Sequence, residues 1–272
     1  MKKTNDFAYY LSMFLSNYLP GQRNLATNTI ASYRDTFKLF LIFCEKEKGL
    51  KPEVVTLSSL TPQTIIEFLA WIEEKRKCCL STRNQRLSAI HAFFRYVQKE
   101  NPDKLYKIHK ILGIPLKKKP KPLVPYLESH ELKILFSQPD TSSGQGRRDL
   151  VLLILMYDTA ARVSEIIDLK VGHIRLSSPS VVTLHGKGDK LRHVPIMGRT
   201  KDHLEAYLKE HEKYHWGIAL EDAPVFFNQK HQKLSRWGIC YILKKYVKMA
   251  AKDEKFSTGF AITPHVLRQY GE

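Results

Sequence analysis

The sequence is poor in acidic residues and contains no long apolar run. Among its 272 residues, 27 are Asp or Glu and 44 are Lys or Arg, so the formal net charge is +17. The longest apolar stretch, residues 150–157, is much shorter than the roughly 18 uncharged apolar residues expected of a membrane-spanning helix. These features predict a protein that does not cross a membrane, and the excess of positive charge predicts a polyanionic partner.

Cysteine is also scarce, and no metal site is predicted. The four cysteines show no CxxC spacing and no histidine at the intervals typical of zinc ligands: Cys44, Cys78, Cys79 and Cys240. We interpret them as reduced thiols, with the adjacent Cys78 and Cys79 left open as a reactive pair. The lysines near the N-terminus are followed by polar residues rather than by an apolar signal segment, which predicts a cytoplasmic protein.

The composition, with 43% hydrophobic residues, is that of a globular protein long enough to bury roughly 70–75% of its unfolded surface and to form two domains. Apolar residues recur at helical spacing in four segments. These are residues 7–18, ending at Pro20-Gly21; a segment after Thr27 that stops at Gly49; one opened by Thr61-Pro62; and one after Ser81. The pattern predicts a four-helix N-terminal domain over residues 1–112.

The fourth predicted helix carries a basic polar surface. Its apolar residues face inward, while the rest of its surface holds Arg83, Asn84, Arg86, His91 and Arg95. Residues 76–98 contain no Asp or Glu that would compensate these charges. This surface is either a solvated helix face or a contact surface for a polyanion.

Residues 113–125 combine prolines with lysines. Pro115, Pro120, Pro122 and Pro125 disfavour a regular helix and favour an extended path. We predict an interdomain linker here. Its cations, Lys117, Lys118, Lys119 and Lys121, are suited to lying along a phosphate backbone, or they simply keep the linker solvated.

Residues 126–272 predict a mixed α/β, mostly helical second domain. Helices are predicted over residues 129–138, 149–157, 200–214 and 235–251, with a polar, glycine-rich loop over 141–146. Residues 180–185 and 190–196 predict two strands joined by the turn 186–189, which form a small β-hairpin sheet. A further short strand is predicted over residues 225–227.

Arg162 lies between the apolar helix 149–157 and a second short helix, where it has no packing role. Two interpretations of this residue remain open. Its guanidinium forms an ion pair with a nearby carboxylate, Glu165 or Asp168, or it binds a phosphate group.

Three other residues join Arg162 in a candidate phosphodiester site. Thr263-Pro264 opens a helix that places His265 and Arg268 three residues apart on one face, and Lys187 lies in the turn of the predicted hairpin. Guanidinium groups stabilise the charge that builds on nonbridging oxygens during displacement at phosphorus. Lysine or histidine can protonate the leaving oxygen. Singly, Lys187 is also explained as a turn lysine and His265 as a capping residue, but the set predicts phosphodiester chemistry.

The order and spacing of these residues resemble the tyrosine recombinase (phage integrase) family over nearly the whole chain. The matching segments are residues 161–165 (ARVSE), the first-arginine box; 186–192 (GKGDKLR), the β-hairpin lysine segment; and 265–268 (HVLR), the His-x-x-Arg box. The N-terminal helices and the basic linker resemble the core-binding (SAM-like) domain of that family. The resemblance implies a catalytic domain over residues 126–272 and a C-shaped clamp on double-stranded DNA.

The resemblance also implies a role for each site residue. Arg162 and Arg268 would hold the scissile phosphate, Lys187 would act as general acid to the leaving 5′ oxygen, His265 would assist proton transfer, and Glu165 would orient Arg162. Arg83, Arg86, Arg95 and the linker lysines would contact DNA. No metal or nucleotide cofactor is implied, because the energy of the broken bond is kept in a covalent 3′ phosphotyrosine.

The sequence departs from the family pattern at its end. The family places a second His or Trp and then the nucleophilic tyrosine several helical turns after the His-x-x-Arg box, whereas only residues 269–272 follow Arg268. Gln269 stands where the family usually has a basic or similar residue. Tyr270 lies too close to Arg268 to match the nucleophile, so we interpret it as structural and expect a C-terminally incomplete catalytic domain.

Three functions are compatible with the sequence. The first is a site-specific recombinase or integrase of a mobile element, and the second is a catalytically inactive DNA-binding protein that occupies recombination sites. The third, a generic RNA-binding protein, lacks support because no RNP-like aromatic motif is present. The resemblance implies a homotetramer on paired DNA sites if the C-terminus were complete, and we expect this chain to be a monomer in solution.

Overall fold

A computed structural model describes residues 6–101, 105–120, 125–186, 190–196, 198–212, 214 and 217–268. The chain is mainly helical, with one three-stranded antiparallel sheet among the described residues. It divides into two compact units, residues 1–122 and 123–272. Within the described residues, no helix is long and apolar enough to cross a membrane.

The N-terminal unit begins with α1 (Asp6–Met13), which continues as a π-helix (Phe14–Gln22). The predicted end at Pro20-Gly21 is therefore one residue early. Pro20 has no N–H to donate within the helix, but it does not end the helix. The last hydrogen bond of the segment runs from the N–H of Arg23 to the Tyr18 carbonyl at 3.0 Å.

The next three helices follow the predicted start and stop signals. They are α2 (Thr27–Lys48), α3 (Pro62–Glu74) and α4 (Leu80–Glu100). Gly49 ends α2 in the left-handed region at φ 65°, where glycine carries no Cβ penalty. The hydroxyl of Thr61 accepts a hydrogen bond from the Thr64 N–H at 3.1 Å, which confirms the predicted cap of α3.

A fifth helix, α5 (Leu105–Leu112), adds to the four predicted. It buries Ile108 and Ile111 in the core of the N-terminal unit. Its apolar residues 105, 108, 111 and 112 do recur at helical spacing, but an eight-residue segment is too short for periodicity alone to establish a helix.

Phenylalanine rings fill the centre of the N-terminal unit. Phe7 and Phe93 meet edge to face with ring centroids 5.7 Å apart, and Phe37 and Phe93 do so at 5.1 Å. Phe40 and Phe68 join α2 to α3 in the same way, at 5.2 Å. Such pairs contribute about 0.5–1.5 kcal/mol beyond the area they bury, so they fix how the helices pack.

The exposed basic surface predicted for α4 is wrong for three of its five residues. Arg83, Asn84 and His91 are buried, whereas Arg95 is exposed and Arg86 is half-buried. The reason is that α4 packs against α2, α3 and α5, which cover most of its circumference. Periodicity identifies an apolar face but not how many neighbours a helix has.

The buried polar residues of α4 bind neighbouring backbone instead. One guanidinium nitrogen of Arg83 donates to the Pro115 carbonyl at 3.3 Å, and the side-chain amide of Asn84 bonds both the carbonyl and the N–H of Lys117, at 2.8 and 3.1 Å. Arg86 donates to the Ser32 carbonyl at 3.0 Å. The beginning of the predicted linker is therefore attached to the N-terminal unit.

Residues 114–120 adopt no regular secondary structure, as predicted for the linker. Lys117, Lys118 and Lys119 are exposed. The ammonium group of Lys117 pairs with Glu73 at 2.7 Å, and that of Lys119 donates to the Ser81 hydroxyl at 2.7 Å. Lys121 lies outside the described residues.

The C-terminal unit contains α6 (Ser129–Phe136), α7 (Gly144–Asp158), α8 (Val163–Ile167), α9 (Gly198–His211), α10 (Arg236–Ala250) and α11 (Pro264–Leu267). Helix α7 begins inside the predicted loop 141–146, because the Ser143 hydroxyl caps it by accepting from the Gly146 N–H at 3.0 Å. A Cβ at Gly146 would lie 1.9 Å from the Asp140 carbonyl oxygen, so this close turn requires glycine.

The sheet has the order β1–β2–β3, with β1 (Ile174–Arg175), β2 (Val181–Gly186) and β3 (Lys190–Pro195). The predicted hairpin is confirmed in β2 and β3, and β1 was not predicted. Val182 faces Val194 and Leu184 faces Arg192 across the hairpin. Val182 and Leu184 are fully buried, so this face of the sheet lies on the core.

The strand predicted over residues 225–227 is wrong. Val225 and Phe226 are buried, but the segment runs between two isolated bridges, Lys170 with Pro224 and Phe227 with Lys233. Its apolar side chains reflect burial in the core rather than membership of a sheet.

Candidate functional site

Arg162 lies at a sharp junction between α7 and α8. The preceding Ala160 has φ 48°, a left-handed conformation that is uncommon for a residue with a Cβ. Ala160 and Ala161 are buried, and Arg162 is the first residue outside the core, at the N-terminus of α8. The short alanine side chains allow the chain to turn within the core and to bring Arg162 to the surface.

Glu165 holds Arg162 at two points. Its Oε1 accepts from the Arg162 guanidinium at 2.7 Å, and its Oε2 accepts from the Arg162 backbone N–H at 2.8 Å. The side chain of Glu165 is 1% exposed, whereas that of Arg162 is 45% exposed. Of the two carboxylates considered above, Glu165 is the partner, because Asp168 pairs with Lys233 at 2.8 Å. The ion pair leaves much of the guanidinium open to a ligand.

A second arginine, Arg192 on β3, binds the same carboxylate. Its Nη2 donates to Glu165 Oε2 at 2.8 Å and to the Ala160 carbonyl at 3.2 Å. Sequence reasoning gave this residue no role. A signal for its role was present in the sequence: Arg192 and Val194 lie on the same, inward face of β3. An arginine on that face requires a hydrogen-bond acceptor nearby, which indicates a contact with a carboxylate or carbonyl.

These hydrogen bonds determine the charge state of Glu165. Burial alone would raise the pKa of its carboxyl group, but the hydrogen bonds from the Arg162 backbone and from the guanidinium groups of Arg192 and Arg162 outweigh it and hold the pKa below its usual value. Glu165 is thus an anion at neutral pH, and the cluster of Arg162, Glu165 and Arg192 has a net positive charge.

The β-hairpin reaches this cluster at Gly186, the last residue of β2. A Cβ at Gly186 would lie 3.5 Å from Glu165 Oε1 and 3.9 Å from a guanidinium nitrogen of Arg162. The hairpin backbone therefore passes directly beside the ion pair. Lys187, the predicted general acid, follows Gly186 in the sequence but lies outside the described residues.

His265 and Arg268 lie at α11. Helix α11 follows Thr263 and packs against α7, with Val266 and Leu267 buried in the same core as Ala161 and Ile166. His265 is exposed, and Arg268, the residue after α11, is half-buried. The two segments that carry predicted site residues are thus joined through α7, since Arg162 follows the C-terminus of that helix.

The remaining predictions concern the cysteines, a metal site and Tyr270. The four cysteines are free thiols, and Cys44 is buried. Among the described residues, no group of three or more His, Cys, Asp or Glu side chains is arranged to hold a metal ion. Tyr270 lies outside the described residues.

Family models match both units of the chain. The model of the phage integrase family matches residues 125–271, and that of the phage integrase N-terminal SAM-like domain matches residues 14–101. The Sinorhizobium fredii protein named "Putative integrase/recombinase y4rC" is 33% identical over 268 residues, which cover 98% of this chain and 79% of that protein. Tyrosine recombinase XerC of Bacillus licheniformis is 31% identical over 260 residues, covering 95% and 80% of the two chains.

Solved structures share the fold at lower identity. XerH site-specific recombinase bound to a palindromic difH substrate superimposes with a TM-score of 0.69 at 22% identity, over 90% of this chain and 68% of that chain. The Tn1549 transposon integrase in complex with transposon right end DNA gives 0.72 at 13% identity, over 94% and 83%.

Proposed function

We propose a function from one premise: this chain belongs to the phage integrase family, the tyrosine recombinases. The protein is a site-specific DNA recombinase or integrase, which breaks and rejoins phosphodiester bonds of duplex DNA. The observation that carries this proposal is the Arg162 guanidinium, which a buried carboxylate fixes on one side and which is open to a phosphate on the other.

The proposed roles follow from this geometry and from the matching boxes. Arg162 and Arg268 hold the nonbridging oxygens of the scissile phosphate, and Glu165 orients Arg162. A tyrosine hydroxyl attacks phosphorus and forms the 3′ phosphotyrosine, while the bond to the 5′ oxygen breaks. Lys187 gives the leaving oxygen its proton, and His265 assists proton transfer. None of these steps requires a metal ion.

The proposed domains are a core-binding domain over residues 1–112, a basic linker over 113–125 and a catalytic domain over 126–272. The contacts of Pro115 and Lys117 with α4 support an N-terminal unit that includes the first part of the linker. On DNA, Arg95, Lys117, Lys118 and Lys119 are the exposed cations of this unit that we assign to backbone contacts. Arg83 and Arg86 instead support the fold.

The relatives and structural neighbours support DNA as the partner and the recombination site as its target. We propose that the protein assembles as a homotetramer on paired sites, because a solved neighbour is a tetramer bound to a Holliday junction. We also propose that the protein acts in the cytoplasm, because its proposed substrate is DNA.

The proposal is tested by trapping the covalent intermediate. The full-length product of the gene is incubated with fragmented genomic DNA of its source organism, and adducts that survive denaturation are recovered and sequenced. We expect recurrent sequences joined to the protein through a 3′ phosphate. The matched Arg162→Ala variant should form adducts about 10²–10³-fold more slowly. Sequence-specific binding without any adduct would instead identify a DNA-binding protein that occupies recombination sites.

A further inference from the structure

Arg192 connects three parts of the candidate site. It lies on β3, and its Nη2 bridges the buried Glu165 carboxylate at 2.8 Å and the Ala160 carbonyl at 3.2 Å. Ala160 is the residue with the left-handed backbone two positions before Arg162. One side-chain nitrogen therefore links the β-hairpin, the α7–α8 junction and the acid that holds Arg162.

Stability alone does not explain an arginine at this position. Arg192 shares the core-facing side of the sheet with Val194 and the fully buried Leu184. The side chain of Arg192 is 38% exposed, and without it Glu165 would still accept two hydrogen bonds from Arg162, so this ion pair contributes little to stability.

The contacts of Arg192 are placed to control Arg162. Glu165 Oε2 accepts from both Arg192 and the Arg162 backbone, so Arg192 fixes the carboxylate orientation that leaves Oε1 for the Arg162 guanidinium. The bond to the Ala160 carbonyl holds the turn from which Arg162 projects. A shift of about 1 Å in a catalytic group can cost roughly 100-fold in rate.

We propose that Arg192 is a positioning residue for phosphodiester transfer, which acts through Glu165 and the Ala160 turn to hold the Arg162 guanidinium toward the scissile phosphate. This inference rests on the function proposed above. Arg192 also joins β3 to this carboxylate, so the same contact aligns the β-hairpin with Arg162.

The test compares Arg192→Met and Arg192→Lys with a matched control, Arg175→Met. Arg175 is an exposed arginine of β1 that donates to the Pro179 carbonyl at 3.2 Å, so its loss removes the same charge from the same sheet without a contact to Glu165. Full-length protein with isotope-labelled arginine and glutamate reports the Arg162 Nε–H signal and the pKa of Glu165 by NMR. The cleavage rate at saturating DNA and the KM are measured alongside.

For Arg192→Met we expect a higher pKa of Glu165, a weaker and broader Arg162 signal, and a cleavage rate lower by at least about tenfold with KM little changed. Arg192→Lys should restore part of each effect, and Arg175→Met should change none. The proposal would be overturned if Arg192→Met kept the wild-type pKa of Glu165 and the wild-type Arg162 signal. It would also be overturned if Arg175→Met changed these two readouts and the cleavage rate as much as Arg192→Met does.

Two further outcomes keep the test decisive. If Arg192→Met does not fold, Arg192→Gln retains a donor at this position and is judged by the same NMR readouts. If the wild-type protein cleaves no DNA, the proposed function fails, while the pKa of Glu165 and the Arg162 signal still decide whether Arg192 positions Arg162.

Discussion

The two units of the molecule contain arginine–glutamate pairs with opposite burial. In the N-terminal unit, Arg83 lies 4.0 Å from Glu73, with 7% of the arginine side chain and 19% of the glutamate side chain exposed. In the C-terminal unit, Arg162 lies 2.7 Å from Glu165, with 45% of the arginine and 1% of the glutamate exposed. A buried cation joins segments of the fold, whereas a buried anion holds a cation outward, where it can bind an anionic ligand.

The largest effect is expected on DNA cleavage, which should depend on the Arg162–Glu165 pair but not on the Arg83–Glu73 pair. Arg162→Ala should lower the rate of DNA cleavage about 10²–10³-fold, because a preorganised donor to the transition state is lost. Its unfolding free energy should change by only about 1 kcal/mol or less, since Glu165 keeps its bonds to Arg192 and to the backbone. Single-turnover cleavage and denaturant unfolding measure the two quantities. A large loss of stability with unchanged cleavage would reverse the comparison.

The second largest effect is expected from a change at Arg83, and it concerns the stability of the fold but not DNA cleavage. Arg83→Ala should lower the free energy of unfolding by about 2–3 kcal/mol, because the Pro115 carbonyl loses a donor and the packed arginine stem is removed. Cleavage per folded molecule should stay at the wild-type rate. Arg95→Ala, on the exposed side of the same helix, is the control and should remain as stable as wild type. Equal destabilisation by both variants would show that the burial of Arg83 contributes nothing.

The buried anion predicts a pH dependence. The pKa of Glu165 in the folded state lies below its usual value of 4.5. The ionised carboxylate therefore stabilises the fold at pH values above 4.5. This stabilisation is lost as the pH falls through the folded-state pKa. Glu165→Gln should therefore cost about 1–2 kcal/mol at pH 7 and progressively less toward acid pH. Urea unfolding across this pH range measures the difference. If the difference in unfolding free energy between wild type and Glu165→Gln stayed constant as the pH fell, the predicted pH dependence would be wrong.

The smallest effect concerns the exposed lysines. If Lys118 contacts a DNA phosphate, Lys118→Gln should reduce the slope of log affinity against log salt concentration by about 0.9. Lys117→Gln should reduce it less, because Lys117 is already paired with Glu73 at 2.7 Å. Fluorescence anisotropy with a duplex at several salt concentrations measures both slopes. Identical slopes for the two variants would show that the ion pair of Lys117 has no influence.

Local signals in the sequence predicted local structure well. Gly49 and Thr61 terminate and begin helices as expected, and the hairpin lies within one residue of its predicted strands. These features depend on neighbours a few residues away. The segment 225–227 misled the prediction because burial in the core and membership of a strand both select apolar residues.

The candidate site was predicted in part. Arg162 and Glu165 lie in one short box, so their spacing indicated a contact at i and i+3. Arg192 binds the same carboxylate from 27 residues away, and its place in the site required the register of β3 and the turn at Ala160. The helical pattern places Arg83 on the polar side of α4, but it does not show that Pro115 and Glu73 lie against the Arg83 side chain.

The sequence by itself determined the positive charge, the main helix signals and the order of the three boxes, since composition and short spacings are properties of the chain alone. Only the tertiary structure decided which arginines are available to a phosphate. Burial is set by segments that are distant in sequence: the extended chain at Pro115 covers Arg83, while the core that encloses Glu165 leaves Arg162 at the surface. The same two residue types therefore hold the fold together in one unit and form the candidate site in the other.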